Sequence, residues 1–130
     1  MTTAGKRRIL IVDDDQRIIQ LLSEHFKERY TVDIAMDSGE ALAIVRRQRP
    51  DLVLLDIMLP GISGIHLLRE MKRVDTAIKV VMISGSDNAT LAAEALQHGA
   101  ATYVAKPFDL QRLDWLVSAV VATPSGKESD

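Results

Sequence analysis

Five short apolar runs, recurring at regular intervals along the chain, constrain the fold more than any other feature. They cover residues 8–12, 31–35, 52–56, 79–84 and 102–105. Four of them are too short and too rich in β-branched residues for helices, and turn residues follow them, so we expect strands. Longer segments with apolar residues at helical spacing lie between the runs. Such alternation predicts a parallel sheet with helices packed on both faces.

The segments between the predicted strands carry the usual signals of helix ends. Asp37 or Ser38 is the expected N-cap of the second helix, and Asp109 that of the fifth. Gly99 lies where the fourth helix should end, at a position where glycine is common. With right-handed crossovers, these elements form a five-stranded, doubly wound α/β sandwich. A ligand site in such a sheet lies beyond the carboxyl ends of the strands.

Chain length and composition fit one globular domain. The 130 residues are 47% hydrophobic and 26% charged, which is ordinary for such a domain. We place the domain at residues 8–122, after an N-terminal extension at 1–7. The polar segment 123–130, which contains proline, glycine and serine, is expected to be a disordered tail or a linker.

Charge and cysteine content exclude several kinds of function. The formal net charge is −2, which does not favour nucleic acid or an anionic membrane as a partner. The chain has no cysteine, so thiolate metal sites, disulfides and cysteine nucleophiles are excluded. The apolar runs are far shorter than a membrane-spanning helix, and no signal-peptide core follows the basic N-terminus. A cytoplasmic protein is therefore the expectation.

Polar residues end or follow four of the predicted strands, and we expect them to meet at one edge of the sheet. They are Asp13, Asp14 and Asp15 after the first strand, Asp56 at the end of the third, Ser84 at the end of the fourth and Lys106 after the fifth. Each alone has an ordinary explanation: Asp15 as a helix cap, Ser84 as a turn former and Lys106 as a solvated cation. Their convergence instead indicates a reactive or ligand-binding site.

The chemistry of this set favours phosphoryl transfer. Three neighbouring carboxylates repel one another, and all of them stay ionised near neutral pH only with a counterion. Oxygen ligands with room for water suit Mg²⁺, which takes one or two protein carboxylates together with phosphate oxygens. A carboxylate nucleophile here would form an aspartyl-phosphate, and Asp56 is the best candidate because it ends the middle strand. Lys106 and a bound cation could neutralise the phosphoryl group, and Ser84 could donate a hydrogen bond to it.

Four motifs together resemble the receiver domain of two-component response regulators, of which chemotaxis receivers are an example. They are "VDDD" after the first strand, "LLDIMLPGISG" from Leu54 to Gly64, "ISG" closing the fourth strand and "KPF" closing the fifth. The resemblance extends from about Arg8 to Val121. It implies a flavodoxin-like (βα)5 three-layer sandwich with strand order 2-1-3-4-5.

The resemblance also implies a role for each matching residue. Asp56 becomes the phosphoacceptor, while Asp13 and Asp14 hold Mg²⁺, with Mn²⁺ as an alternative. Asp14 is expected to bind the metal directly and Asp13 through water. The backbone carbonyl of Met58 falls where the family supplies a further metal ligand.

Other matching positions concern the response to phosphorylation. Ser84 occupies the switch-hydroxyl position, and Lys106 that of the lysine that contacts the phosphoryl group. Lys106–Pro107 is expected to be a cis peptide, which costs about 0.5–1 kcal/mol before proline. Tyr103 matches the aromatic switch position on the fifth strand. The alternative interpretation is a half-buried strand aromatic without a switching role.

Two variable positions near the site bear on how long the phosphorylated form lasts. In the family, the side chains two residues after the phosphoacceptor and two after the switch hydroxyl influence attack by water. Here these are Met58 and Ser86. Met58 cannot orient water by hydrogen bonding and Ser86 is uncharged, so the hypothesis is a comparatively long-lived phospho-form.

Partners follow from the same resemblance. A sensor histidine kinase or a phosphotransfer protein donates the phosphoryl group, and a downstream protein or an effector domain reads the surface of strand 4, helix 4, strand 5 and helix 5. A phosphorylation-dependent homodimer is a further option, whereas membrane contact and direct nucleic-acid binding are not expected. The domain is a switch rather than an enzyme, with self-catalysed phosphoryl transfer and slow autodephosphorylation only. Helix 4 has only Leu91 and Leu96 as large apolar anchors, and Trp115 of helix 5 is expected to face outward.

Rival functions explain fewer of these residues. A haloacid-dehalogenase-like phosphatase would use Asp13 and Asp15 as an Asp-x-Asp pair, but it expects Thr or Val where Arg17 stands. A pseudo-receiver acting only as a protein-binding module predicts a damaged site, yet all the site residues are present. A flavodoxin-type protein would carry a phosphate-cradling loop rather than acidic residues after the first strand.

Overall fold

The computed structural model describes residues 6–85 and 89–123, which form a five-stranded parallel sheet flanked by five helices. The strands lie in the order β2-β1-β3-β4-β5, as the family resemblance implies. Their bounds are Arg7–Val12 (β1), Tyr30–Ala35 (β2), Leu52–Asp56 (β3), Lys79–Ser84 (β4) and Thr102–Ala105 (β5). The helices are Gln16–Phe26 (α1), Ser38–Gln48 (α2), Gly64–Val74 (α3), Ala89–Gln97 (α4) and Leu110–Ala122 (α5).

Alternate residues of the central strands supply two separate apolar cores. Leu10 and Val12 of β1 belong to the core on one face of the sheet, whereas Ile9 and Ile11 belong to the core on the other. Successive side chains of a strand point to opposite faces, so a strand with both faces covered must be apolar throughout. All five residues of β3 are buried. The helices therefore shield both faces and leave the carboxyl edge of the sheet for polar groups.

The predicted helix ends are confirmed. Asp37 caps α2 by accepting a hydrogen bond from the Glu40 amide at 2.8 Å, and Asp109 caps α5 in the same way through the Gln111 amide. Gly99 follows α4 with φ +100°, the left-handed conformation that glycine adopts without strain. These caps fix where each helix begins or ends relative to the sheet edge.

One prediction about α4 is wrong, because Leu96 does not anchor this helix. Its side chain is 50% exposed, while the neighbouring Ala95 is fully buried. The reason is geometric: the turn after α4 places Ala95 against the buried Ala100, and the next position of a helix points about 100° away. Leu91 is only partly buried against the core. The anchoring of α4 is therefore weaker than its sequence suggests.

Two further outcomes concern the surface. Trp115 is 71% exposed, on the side of α5 away from the buried Leu113 and Val117, as predicted. No helix within the described residues is long and apolar enough to cross a membrane. Ser86 and the segments 1–5 and 124–130, on which some predictions fall, lie outside the described residues.

Candidate functional site at the carboxyl edge of the sheet

Strand order brings the predicted site residues to one place. Val12 of β1 pairs with Leu55 of β3, so the residues that follow them, Asp13 and Asp56, lie side by side. On the next strand Ser84 ends β4, and the backbone N–H of Lys106 donates to the Ser84 carbonyl at 2.7 Å. Residues far apart in sequence thus share one edge because parallel strands end in the same direction.

The acidic residues form a cluster with oxygen atoms available to one ligand. Carboxylate oxygens of Asp13, Asp14 and Asp56 lie within 4.8 Å of one another. Asp13 and Asp56 are 3% and 5% exposed, whereas Asp14 is exposed. Two buried carboxylates beside a third, exposed one create strong negative potential at the mouth of the site.

Lys106 supplies the balancing charge. Its ammonium lies 3.0 Å from Asp13 Oδ2 and 3.4 Å from Asp56 Oδ2, bridging the two buried carboxylates. Burial by itself disfavours the ammonium, but the hydrogen bonds and charges of Asp13 and Asp56 outweigh burial and raise the pKa of Lys106. The Lys106–Pro107 peptide is cis, as predicted. Lys106 is therefore a permanent cation in contact with both acids.

The carboxylate of Asp56 is held in a defined orientation. Oδ1 accepts a hydrogen bond from the Met58 amide at 3.1 Å, while Oδ2 faces Lys106. Burial raises the pKa of Asp56 above its ordinary value, and the Asp13 charge adds to this; the Met58 amide and Lys106 oppose it. The Met58 amide and Lys106 thus offset part of the cost of burying the Asp56 charge. They also fix the orientation of a carboxylate that has little contact with water.

The carboxylate of Asp15 takes no part in the acidic cluster, although the Asp15 amide donates a hydrogen bond to Asp13 Oδ1 at 2.8 Å. Its side chain caps α1 by accepting the Arg17 amide at 2.9 Å, and this hydrogen bond lowers the pKa of Asp15. The ordinary explanation given for Asp15 is therefore confirmed. An Asp-x-Asp catalytic pair of Asp13 and Asp15, which a phosphatase of the dehalogenase type would need, is not what this geometry offers.

The two predicted switch residues lie near the cluster but in different settings. Ser84 is fully buried on the strand adjacent to Asp56. Tyr103 of β5 is half-buried and packs against the apolar core on the side of α4. Both positions agree with the expected placement, and their roles remain predictions.

Sequence reasoning missed a groove beside the acidic cluster. A cavity of about 750 Å³ opens between the β3–α3 loop and helices α3 and α4. Asp14 and Met58 line its upper end, and Ile65, Leu91 and Glu94 line the sides. Met58 is 65% exposed here. No sequence signal marks this groove, because it depends on how far α3 and α4 stand apart.

Comparison with known protein families gives one clear match. Residues 9–118 match the response regulator receiver domain. Sporulation initiation phosphotransferase F of Bacillus subtilis is 43% identical over 107 residues, which cover 82% of this chain and 86% of that protein. The DNA-binding response regulator MtrA of Mycolicibacterium smegmatis is 38% identical over 109 residues, covering 83% of this chain. This chain spans about half the length of MtrA, 47%.

Solved structures agree with these sequence relatives. A CheY-like response regulator receiver domain from Methanospirillum hungatei superimposes with a TM-score of 0.86 at 32% identity, covering 89% of this chain and 94% of that one. The receiver domain of NtrX from Brucella abortus gives a TM-score of 0.84 at 36% identity, covering 89% and 99%. Both likenesses extend over nearly all of the described residues.

Proposed function

This chain belongs to the response regulator receiver domains of two-component signalling, and on that basis we propose that Asp56 is its phosphoacceptor. The observation that carries the proposal is the position of Lys106, whose ammonium touches Asp13 and Asp56 together. The side chain of Lys106 is 22% exposed, so its ammonium is accessible from solvent while it contacts both acids. Lys106 can therefore turn from Asp56 to an incoming phosphoryl oxygen.

The acidic cluster fits a divalent metal ion of the Mg²⁺ type. Its donors are oxygens only, and three carboxylates against one ammonium leave a surplus of negative charge. Asp14 would bind the ion directly and Asp13 through water, with an oxygen of Asp56 and the backbone carbonyl of Met58 as further ligands. Mg²⁺, or Mn²⁺ in its place, would neutralise negative charge during the transfer when held by these residues.

Asp56 acts as the nucleophile in a balanced transfer. One carboxylate oxygen forms a bond to phosphorus while the bond between phosphorus and the donor atom, a histidine nitrogen, breaks and leaves its electron pair on that nitrogen. The Met58 amide holds the other oxygen of Asp56 in place. Lys106 neutralises the phosphoryl charge, and the Ser84 hydroxyl donates a hydrogen bond to it.

The phosphoryl group then acts on the surface formed by β4, α4, β5 and α5. Drawing Ser84 towards the phosphoryl group moves the start of α4, and Tyr103 follows. Weak anchoring of α4 supports this, since few of its side chains are buried. The domain works as a switch with self-catalysed phosphoryl transfer and slow autodephosphorylation, rather than as an enzyme with turnover.

Partners and context complete the proposal. The donor is a sensor histidine kinase or a phosphotransfer protein in the cytoplasm, and the reader is a downstream protein or an effector domain, with a phosphorylation-dependent homodimer as a further output. The domain spans residues 8–122, with 1–7 as an extension and 123–130 as a tail or linker. It binds no nucleic acid itself. The Met58 side chain cannot orient attacking water by hydrogen bonding and Ser86 is uncharged, so we expect the phospho-form to be long-lived.

Intact-mass measurement after incubation with a small phosphodonor and Mg²⁺ tests the phosphoacceptor. Wild type should gain one phosphate, Asp56→Asn none, and omission of Mg²⁺ should reduce the gain. Glu28→Gln, which alters an exposed carboxylate far from the site, should behave as wild type. Wild type without added phosphate, or Asp56→Asn with as much as wild type, would overturn the proposal.

A further inference from the structure

The groove between the β3–α3 loop, α3 and α4, called the α3–α4 groove below, offers apolar surface that phosphoryl transfer does not use. Ile57 and Ile65 line it and are buried, and Leu91 of α4, which is half-buried, lines it too. Met58 adds an exposed thioether, a flexible and polarizable group that adapts to different apolar neighbours. Apolar side chains from three segments of the chain therefore face one groove.

The two helical walls of the groove carry opposite charges. Arg69 stands on the α3 wall and Glu94 on the α4 wall, and both are exposed. Within the described residues, neither side chain takes part in an ion pair or a hydrogen bond. Asp14 adds a carboxylate at the upper end, where Met58 also lies. An occupant of the groove would therefore meet a cation on one side and a carboxylate on the other.

The α3–α4 groove is too open to enclose a small molecule. A site for a small ligand buries about 70–90% of the ligand surface. Here much of the lining is exposed, with Pro60, Ser63, Arg69 and Glu94 all facing solvent. The groove can therefore cover only one side of an occupant, which fits a segment of a larger partner.

The walls decide which kind of protein segment fits. An added β-strand needs the open edge of a sheet, whereas these walls are helices. A polyproline segment needs an aromatic-lined groove, and none of the described lining residues is Phe, Tyr or Trp. A phosphorylated segment needs a cluster of arginines, and Arg69 is the single arginine of the described lining. An amphipathic helix, with apolar residues at i, i+3 or i+4 and i+7, is the mode that an apolar groove between two helices suits.

We propose that the α3–α4 groove is a docking surface for an amphipathic helix of a partner protein. The apolar ridge of that helix packs on Met58, Ile65 and Leu91. An acidic residue on one flank of the helix faces Arg69, and a basic residue on the other flank faces Glu94. This docking goes beyond the phosphoryl switch, because none of its contacts involves the phosphoryl group.

The wall charges also set the direction in which the helix lies. With the apolar ridge kept in the groove, reversing a helix exchanges its left and right flanks. A helix with acids on one flank and bases on the other therefore satisfies Arg69 and Glu94 in one direction only. In the opposite direction each flank meets charge of its own sign, which lowers the affinity.

Amide NMR of the unphosphorylated, isotope-labelled chain, titrated with synthetic peptides, tests the proposal. The probe is a helical peptide with leucines at i, i+4 and i+7, glutamates on one flank, lysines on the other and a spin label at its amino end. It should shift the amides of Met58, Ile65 and Leu91. The label should broaden more strongly either the amides next to Met58 or those around Lys72, at the other end of α3.

Two further peptides test the charges. A peptide with the two flanks exchanged should bind as tightly as the first and broaden the opposite end of the groove. A peptide with glutamine on both flanks should bind about fivefold more weakly, the loss expected for two exposed ion pairs.

A charge-exchange variant of the chain tests the walls. Arg69→Glu/Glu94→Lys exchanges the two wall charges at unchanged net charge and should reverse the direction of each charged peptide. Arg47→Glu/Glu28→Lys, which exchanges two exposed charges elsewhere, is the matched control and should leave the direction as in wild type.

A leucine pair tests the apolar contact. Leu91→Ala should weaken binding of the first peptide about fivefold, because part of a leucine side chain no longer packs on the ridge. Leu96→Ala removes an exposed leucine of the same helix that does not line the groove, and it should bind as wild type does.

Several results would overturn the proposal. They are one fixed direction whatever the flank charges, equal weakening by Leu91→Ala and Leu96→Ala, and no shift of the groove amides at millimolar peptide. A proline in the middle of the peptide breaks its helix and should abolish binding; retained binding would assign the groove to an extended segment instead. Shifts of the same amides on concentrating the chain alone would assign it to a second copy. Should Leu91→Ala fail to fold, the exchange of the exposed wall charges decides by itself.

Discussion

The ammonium of Lys106 lies 3.4 Å from the Asp56 carboxylate and 3.0 Å from Asp13, so a single side chain balances two buried acids. Register places the acids side by side, and the end of β5 brings the cation to them. Buried charges of like sign are costly unless a partner is present. The two buried carboxylates and the ammonium therefore depend on one another for stability.

Removing the cation should destabilise the folded state as well as the reaction. Lys106→Met leaves Asp13 and Asp56 without a counterion, and we expect a loss of about 2–3 kcal/mol in the free energy of unfolding in metal-free buffer, a value reduced for the partial exposure of Lys106. Urea unfolding measures this. Lys27→Met, which breaks an exposed pair with Glu24, should cost less than about 0.5 kcal/mol. Equal losses in the two variants would contradict a structural role for Lys106.

The raised pKa of Asp56 predicts that replacing this carboxylate with a neutral amide increases the free energy of unfolding, and that the increase depends on pH. A carboxyl group whose pKa rises on folding loses stability as pH increases through the folded-state pKa, because the ionised form is disfavoured in the folded protein. Asp56→Asn should therefore resemble wild type at acid pH, below the ordinary value of 3.8, and exceed it near neutral pH. Without metal, we expect a rise in Tm of roughly 2–6 °C at pH 7.

Mg²⁺ provides the control for that experiment. It should raise the Tm of wild type more than that of Asp56→Asn, because the variant lacks a ligand carboxylate. Scanning calorimetry at several pH values, with and without the ion, separates the two effects. A wild type more stable than Asp56→Asn at neutral pH in metal-free buffer would show that Asp56 ionisation is not costly in the folded state.

Sequence reasoning predicted the sheet and the site because both depend on local order along the chain. Apolar runs set the strands, and the residue after each run had to reach the carboxyl edge, as Asp13 and Lys106 do. Sequence reasoning failed where the packing between helices determines which side chains are buried. Leu96 is apolar yet exposed, because the turn at Gly99 selects Ala95 for burial. The contact of Lys72 with Gly99 joins α3 to the end of α4, and no spacing in the sequence indicates it.

Close backbone approach at the start of α3 leaves no room for a side chain at Gly64. An added Cβ would lie 2.5 Å from the Ile57 Cα and 2.8 Å from the Asp56 carbonyl oxygen, both backbone atoms that cannot turn aside. Gly64→Ala should destabilise the fold by about 2–3 kcal/mol and slow phosphate uptake, because the loop after Asp56 must shift. Gly39→Ala is the matched control.

Gly39 has only Asp37 Oδ1, at 3.5 Å, near its added Cβ. Alanine in this first turn of α2 should be neutral or stabilising by up to about 1 kcal/mol. Chemical unfolding of both variants and intact-mass kinetics of phosphate uptake give the comparison. If Gly64→Ala and Gly39→Ala had similar free energies of unfolding, the β3–α3 loop would be able to shift at little cost in stability.

Met58 offers a test of the phospho-form lifetime. Its exposed thioether side chain cannot orient water, whereas an amide at this position can donate and accept hydrogen bonds. Met58→Asn should shorten the half-life of the phosphorylated protein by about two- to tenfold, the worth of one hydrogen bond to the attacking water. Met58→Ala, which adds no polar group, should leave the half-life nearly unchanged. If phosphorylated Met58→Asn and phosphorylated wild type lost phosphate at the same rate, the side chain at position 58 would not determine the lifetime of the phospho-form.

Chemical mapping of the phosphorylated carboxylate tests the central claim most directly. The protein is incubated with a small phosphodonor and Mg²⁺ and then reduced with borohydride, which converts an aspartyl-phosphate to homoserine. Peptide sequencing by mass spectrometry locates the converted residue among Asp13, Asp14 and Asp56. We predict homoserine at position 56 alone, dependent on Mg²⁺ and on Lys106. Homoserine at Asp13 or Asp14, or at no position, would contradict the assignment of Asp56 as the phosphoacceptor.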